Sequence, residues 1–136
     1  MANGQICRAQ ANSFLSTIFS NSYLGLSTTA PDVNGGNVSE PPKSAGYSRH
    51  KLTTEEMEAP KDGQIYNKQA IFMGESIESW GTITHLIVSK TLDGAVIFHA
   101  PLNAPVPVPD GHVPVFRKGA LIVGIDKDSL DIPDFN

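Results

Sequence analysis

Four histidines, His50, His85, His99 and His112, are the residues of this chain best suited to move a proton or hold a metal. Either task requires them to converge on a nucleophile, a carboxylate or one another, and their spacing argues against it. His85 and His99 lie on two strand-like runs joined by Asp93-Gly94. A two-residue turn there pairs Leu92 with Ala95, Lys90 with Ile97 and Val88 with His99, and places the two rings on opposite faces. His50 stands in the polar stretch Ser48-Arg49-His50-Lys51, where a solvated or hydrogen-bonded ring is the ordinary role, and His112 follows the turn pair Asp110-Gly111. No HxH or HExxH pattern occurs, so neither an active-site histidine nor a metal site is expected.

The remaining reactive types read as structure. Asp126, Asp128, Asp131 and Asp134 offer hard oxygen ligands suited to calcium, but the glycine and distal glutamate of a calcium-binding loop are missing, which leaves a solvated acidic tail. Thr53-Thr54-Glu55-Glu56-Met57-Glu58 resembles a short helix start, with acids at the positive end of the dipole. Gly35-Gly36 precedes no helix and cannot cradle a phosphate. Tyr23, Tyr47, Tyr66 and Trp80 could present flat rings to a glycan, yet Trp80 stands directly before Gly81 at the head of a strand, the place of a packed corner residue. Cys7 is the one cysteine, which excludes an internal disulfide and a cysteine-built zinc site and leaves a small buried apolar residue. No catalytic residue and no cofactor is expected.

What must position these side chains is mainly β structure. The 136 residues include 12 glycines and 10 prolines, and charged residues make up 18%, below the usual quarter or so. Ile6, Ala9, Ser13/Phe14 and Thr17/Ile18 recur at helical spacing and predict an amphipathic helix over 4–20, with Phe14, Ile18 and Phe19 as its packing face. Short strand-like runs follow at 23–27, 47–52, 69–73, 82–90, 95–100, 113–116 and 120–125, each bounded by Gly, Pro, Asn or Asp. The fold class expected is mainly β: a small β-sandwich of jelly-roll or immunoglobulin-like type, with about seven or eight strands after one N-terminal helix. It forms a single domain over 1–136, with the helix in 1–21, the sandwich in 22–126 and an extended tail in 127–136.

Residues 30–46, with Asn34-Gly35-Gly36 and Pro41-Pro42, form a long surface loop. In 104–109 proline takes every other position, which favours polyproline II and confines the segment to a sheet edge or a connection. Both faces of the 82–100 hairpin are substantially apolar, so both should be covered, one by the second sheet and the other by the N-terminal helix or another subunit. The net charge of −4 and a longest basic run of only Arg117-Lys118 give no nucleic-acid footprint. No apolar stretch approaches the roughly 20 residues needed to cross a bilayer, and the N-terminus lacks the pattern of an export signal.

Several segments, in fixed order, resemble one family. They are the helix 12–21, YLGLSTTAP at 23–31, Gly46-Tyr47-Ser48-Arg49, Ile71-Phe72 leading to WGTITH at 80–85, and 111–121 with Pro114-Val115-Phe116 and Gly119-Ala120-Leu121. Together they look like the small tailed-bacteriophage virion proteins usually labelled tail fibre proteins, over nearly the whole chain to about Asp126. The resemblance implies a non-enzymatic structural protein made in the bacterial host cytoplasm and built into the virion in many copies. Capsid decoration and attachment at the head or tail both fit it. The implied partners are other virion proteins, from the capsid, neck or tail, and further copies of the chain, with a trimer as one form; neither nucleic acid nor membrane is among them. Phe14, Ile18, Phe19, Tyr23, Tyr47, Arg49, Trp80, Gly81, His85 and Phe116 are the fold-marker and interface candidates. Contacts are expected through the 30–46 loop, the N-terminal helix and the tail, and a receptor- or glycan-binding module is the alternative.

Overall fold

A computed structural model describes residues 7–124. Helix α1 spans Arg8–Phe19 and buries Ala11, Leu15 and Phe19, a stripe with a four-residue step. Phe14, expected on the packing face, is instead 44% exposed, because it sits about 100° around the helix from Leu15. Ile18 is partly buried against the core, and Cys7, just before the helix, is exposed rather than buried. The last turn of α1 leaves carbonyls without helical partners. The Lys90 ammonium supplies them, donating to Thr17 O and, at 2.8 Å, to Ser20 O, while Ser22 Oγ donates to Ile18 O. Asn21 then turns the chain at a φ of +54° into the first strand.

The strands are β1 (Tyr23–Ser27), β2 (His50–Lys51), β3 (Gln64–Tyr66), β4 (Ile71–Phe72), β5 (Gly81–Ser89), β6 (Val96–Val108), β7 (Val115–Phe116) and β8 (Ile122–Gly124). An antiparallel sheet runs β2-β1-β5-β6, and two antiparallel ladders pair β3 with β8 and β4 with β7. One hydrophobic core joins these parts: Leu24, Leu26, Leu86 and Val88 from the sheet, Ile65 and Ile71 from the ladders, and Leu15 and Phe19 from the helix. Phe19 meets Phe98 edge to face, with ring centroids 5.6 Å apart, so α1 closes one end of this core. The fold is thus mainly β with one N-terminal helix and several antiparallel sheets. Strand β3 goes unseen in the sequence because only one of its three residues, Ile65, faces inward.

The hairpin β5–β6 forms, but in a different register. Val88 pairs with Phe98 and Ile87 with His99, and the turn spans 91–94, closed by the Gly94 N–H on Thr91 O at 3.2 Å. Gly94 therefore takes the last position of the turn, where glycine is favoured, instead of a central one. His85 and His99 consequently share one face, the outer one, contrary to the expectation. The covering of that face is also corrected, since the 30–46 loop folds back over it: His99 Nε2 lies 3.1 Å from Asp32 O, and Gly35 lies against Val96. Proline-rich 104–109 lies mostly within β6, an edge strand of the sheet, and is extended in ladder register instead of running free as polyproline II. The acidic tail lies outside the described residues.

Asn67 is fully buried between β3 and β4 and organises the return from β7 to β8. Its side-chain N–H groups reach Gln69 O (2.8 Å), Arg117 O (2.9 Å) and Phe116 O (3.2 Å), and its Oδ1 accepts the Leu121 N–H at 2.9 Å. Alanine would leave these buried groups unpaired, so Asn67→Ala should lower the unfolding free energy by about 3 kcal/mol in urea titration.

Candidate functional site

The densest polar arrangement is built over Gly25 of β1. The chain approaching β2 crosses this residue, and a Cβ here would come within 2.6 Å of the Tyr47 hydroxyl and 3.0 Å of Ile87 Cγ1. Only glycine admits Tyr47 and Arg49 onto the strand at this distance. The Leu26 N–H, beyond the short pairing with β2, donates instead to the Tyr47 hydroxyl at 2.9 Å, and that hydroxyl donates to Glu40 Oε1 at 2.6 Å.

Arg49 engages the same carboxylate through a fork, Nε to Oε1 and Nη2 to Oε2, both at 2.9 Å. Its third nitrogen, Nη1, donates to Ser89 Oγ and Gly94 O, both at 2.8 Å. Burial pushes the Glu40 carboxyl up, but the hydrogen bonds from Arg49 and Tyr47, with the Arg49 charge, outweigh it and hold the group below the ordinary carboxylate value. Burial, reinforced by the bond to Glu40, pushes Tyr47 ionisation well up, so the phenol stays a neutral donor. The Glu40 bonds raise Arg49 against the effect of its own burial.

Tyr47 also packs edge to face on Trp80, with centroids 5.4 Å apart, and the Trp80 indole N–H donates to Ala45 O at 2.9 Å. Trp80 is thus an internal corner residue, followed by Gly81 at a φ of +79° that opens β5. Tyr23 is half-buried at the start of β1, and Phe116 is half-buried opposite Ile71. His85 is half-buried on the outer face, with Nδ1 2.8 Å from Thr84 Oγ1.

His50 Nε2 lies 2.8 Å from Glu56 Oε2, and Thr53 Oγ1 bonds that same carboxylate and not the imidazole, so the Thr53 hydroxyl is not aimed at His50. The 53–58 segment is a single turn locked by Glu56, not a helix start, because Met57 bridges to Asn67 and pulls the chain into extended pairing. Among the described residues no three His, Cys, Asp or Glu side chains come together as a metal site would require. No helix there is long and apolar enough to cross a membrane.

The outer faces of the two ladders carry another feature that pattern reading missed. Each ladder turns one apolar pair inward, Ile65–Val123 and Ile71–Phe116, and one outward, Tyr66–Ile122 and Phe72–Val115. Phe72 is 60% exposed and Ile122 61%. The outward pairs were legible only with the registers of both ladders in hand. Val33, at the tip of the 30–46 loop, is exposed as well, while the rest of that loop is held down, Asp32 Oδ1 accepting the Asn34 and Gly36 N–H groups at 2.8 Å.

A family model described as Podophage GP4 fiber I protein gp80 matches residues 5–124. The chain belongs to this podophage fibre family. No curated protein matches it. Membership agrees with the resemblance read from YLGLSTTAP and WGTITH and makes the chain a structural protein of a phage fibre type, a component of the virion. The fibre family is not one known for catalysis.

For this fibre protein the Glu40–Arg49 pair should govern acid stability. Glu40 has a lowered folded-state pKa, so its contribution is present above the ordinary value of 4.5 and is lost as pH falls through the lower folded value. Thermal unfolding between pH 7 and 3 should show a falling midpoint at the acid end, less steep in Glu40→Gln. Arg49→Met, which strands a partly buried carboxylate, should cost about 2 to 3 kcal/mol at pH 7.

Proposed function

We propose that this protein is a non-enzymatic building block of the virion that assembles with copies of itself and with other virion proteins. The observation that carries the reading is the pair of outward apolar contacts, Tyr66–Ile122 and Phe72–Val115, on ladders whose inner faces already serve the core. Exposed apolar pairs on strands this short mark a surface that another chain covers, and each large side chain contributes about 2 kcal/mol when buried. Repetition on a symmetric particle multiplies such modest contacts. Val33 at the fixed loop tip and Phe14 on the free face of α1 add two further contact points.

In this reading the chain is one domain, a small β-sandwich in which the two ladders form the second layer against the four-stranded sheet. Its copies form a closed oligomer, with a trimer the form we favour, placed at the tail or on the head surface. The buried positions of Tyr47 and Trp80 weigh against a glycan-binding face, because two of the rings such a face would need are internal.

Sedimentation of the purified protein at micromolar concentration should show a closed oligomer, and Phe72→Ser with Ile122→Ser should shift it to a folded monomer. A wild-type protein that stays monomeric throughout, or a double variant that associates unchanged, would remove this surface from consideration. Cryo-electron microscopy of the particle tests the wider reading, which fails if no density on head, neck or tail accommodates the chain.

A further inference from the structure

An apolar groove of about 400 Å³ opens between the second half of β6 and residues 114–120. It lies where β6 carries extra residues: Ile83 pairs with Val106 and His85 with Pro101, so two steps along β5 face five along β6. Leu26, Met73 and Ile83, all buried core residues, form the floor, and Leu102, Val106 and Phe116 stand at the walls. Val115 lines the groove and also forms the outward pair with Phe72, so slot and exposed ladder face are one continuous apolar surface. Pro101, Pro105 and Pro107 carry no N–H, which denies an added strand the donors a ladder needs along this edge. What enters the slot must therefore bring side chains on a turn.

The chain presents such a turn itself. Val33 is 96% exposed, more than any other large hydrophobic residue among those described. It is also held rigidly: Asp32 O accepts the Gly35 N–H at 3.0 Å, the Asp32 N–H donates to Gly36 O at 2.9 Å, and Asp32 Oδ1 accepts the Asn34 and Gly36 N–H groups. An apolar side chain fixed in this way loses little freedom on docking. Charge matches too. The tip carries Asp32, and Arg117 is the one charged residue lining the groove among those described, with Lys118 next in sequence.

We propose that the Asp32-Val33 tip of a second copy of this chain enters the groove, with Val33 filling the slot and Asp32 facing Arg117. The chain's own tip is held away from its own groove, because the contact of Asp32 O with His99 Nε2 keeps the loop on the outer face of the sheet while the groove opens on the inner face of β6. Tip and groove are different surfaces, so the contact runs head to tail and closes into a ring, as a trimer requires.

The inference rests on the reading that copies of this chain associate, and its tests separate the two. In a Cys7→Ser background, chains carrying Val33→Cys are mixed with chains carrying Val106→Cys at micromolar concentration and oxidised. A disulfide between the two kinds of chain should form about tenfold faster than either kind bonds to itself. Adding Arg117→Glu to the Val106→Cys chain should slow that bond about fivefold at low salt. Absence of the mixed bond, or self-bonding as fast, overturns the proposal. In sedimentation without added cysteines, Val33→Asp and, separately, Ala104→Trp, which fills the slot with its own ring, should each weaken association about tenfold. Substitution at so exposed a position as Val33 leaves the fold intact. A wild-type chain that associates while both variants leave association unchanged overturns this contact and spares the reading of self-assembly. A wild-type chain that stays monomeric overturns both.

Discussion

The fork between Arg49 and Glu40 above Gly25 is the contact on which the rest of the arrangement depends. It joins three pieces of chain that no ladder pairs directly: the 30–46 loop through Glu40, the approach to β2 through Arg49, and the β5–β6 turn through Ser89 and Gly94. Burying two charges is costly, and a well-packed apolar pair in their place would contribute as much net stability. What such a pair could not supply is direction. A guanidinium offers planar donors on fixed bearings, and here two hold a carboxylate while the third nitrogen fixes the carbonyl that defines where the turn closes. Lysine, a single point charge, could not set all three pieces at once.

That contact also explains where sequence reading succeeds and fails. Strand β1 at 23–27, the β5 run, the edge position of the proline-rich segment and the N-terminal helix all follow from local period and from the missing proline donors, and all are found. The hairpin register does not follow. Asp93-Gly94 carries a local preference for a two-residue turn, but Arg49, more than forty residues earlier, draws the Gly94 carbonyl inward and the turn closes at 91–94. A preference worth a fraction of a kcal/mol yields to a charge-assisted hydrogen bond. The misplacement of His99 relative to His85 followed from that one step of register.

Asn67, Ser76, Ser22 and Ser27 were illegible for a different reason. All are fully buried, yet asparagine and serine between strand-like runs or at their ends read as solvated turn residues. Ser76 shows what they do instead: its hydroxyl donates to Pro109 O at 2.6 Å and accepts the His112 N–H at 3.0 Å, which pins the turn after β6. The candidate site was legible only in its pieces. Tyr47, Arg49 and Trp80 stood out as markers, but Glu40 lay in a stretch without period, and only the folded loop brings it to Arg49.

The shortness of the strands ties these features together. Strands β2, β4 and β7 have two residues each, and ladders that brief supply few backbone bonds and little cooperativity. Their positions are set instead by side chains reaching backbone groups, Asn67 and Ser76 for the two ladders and Tyr47 for the edge of β1. A side chain committed to that task points inward, which leaves the outward residue of each pair free of structural duty. Tyr66, Phe72, Val115 and Ile122 are apolar on both ladders at once. The economy that makes the two ladders so slight leaves an apolar outer pair on each of them.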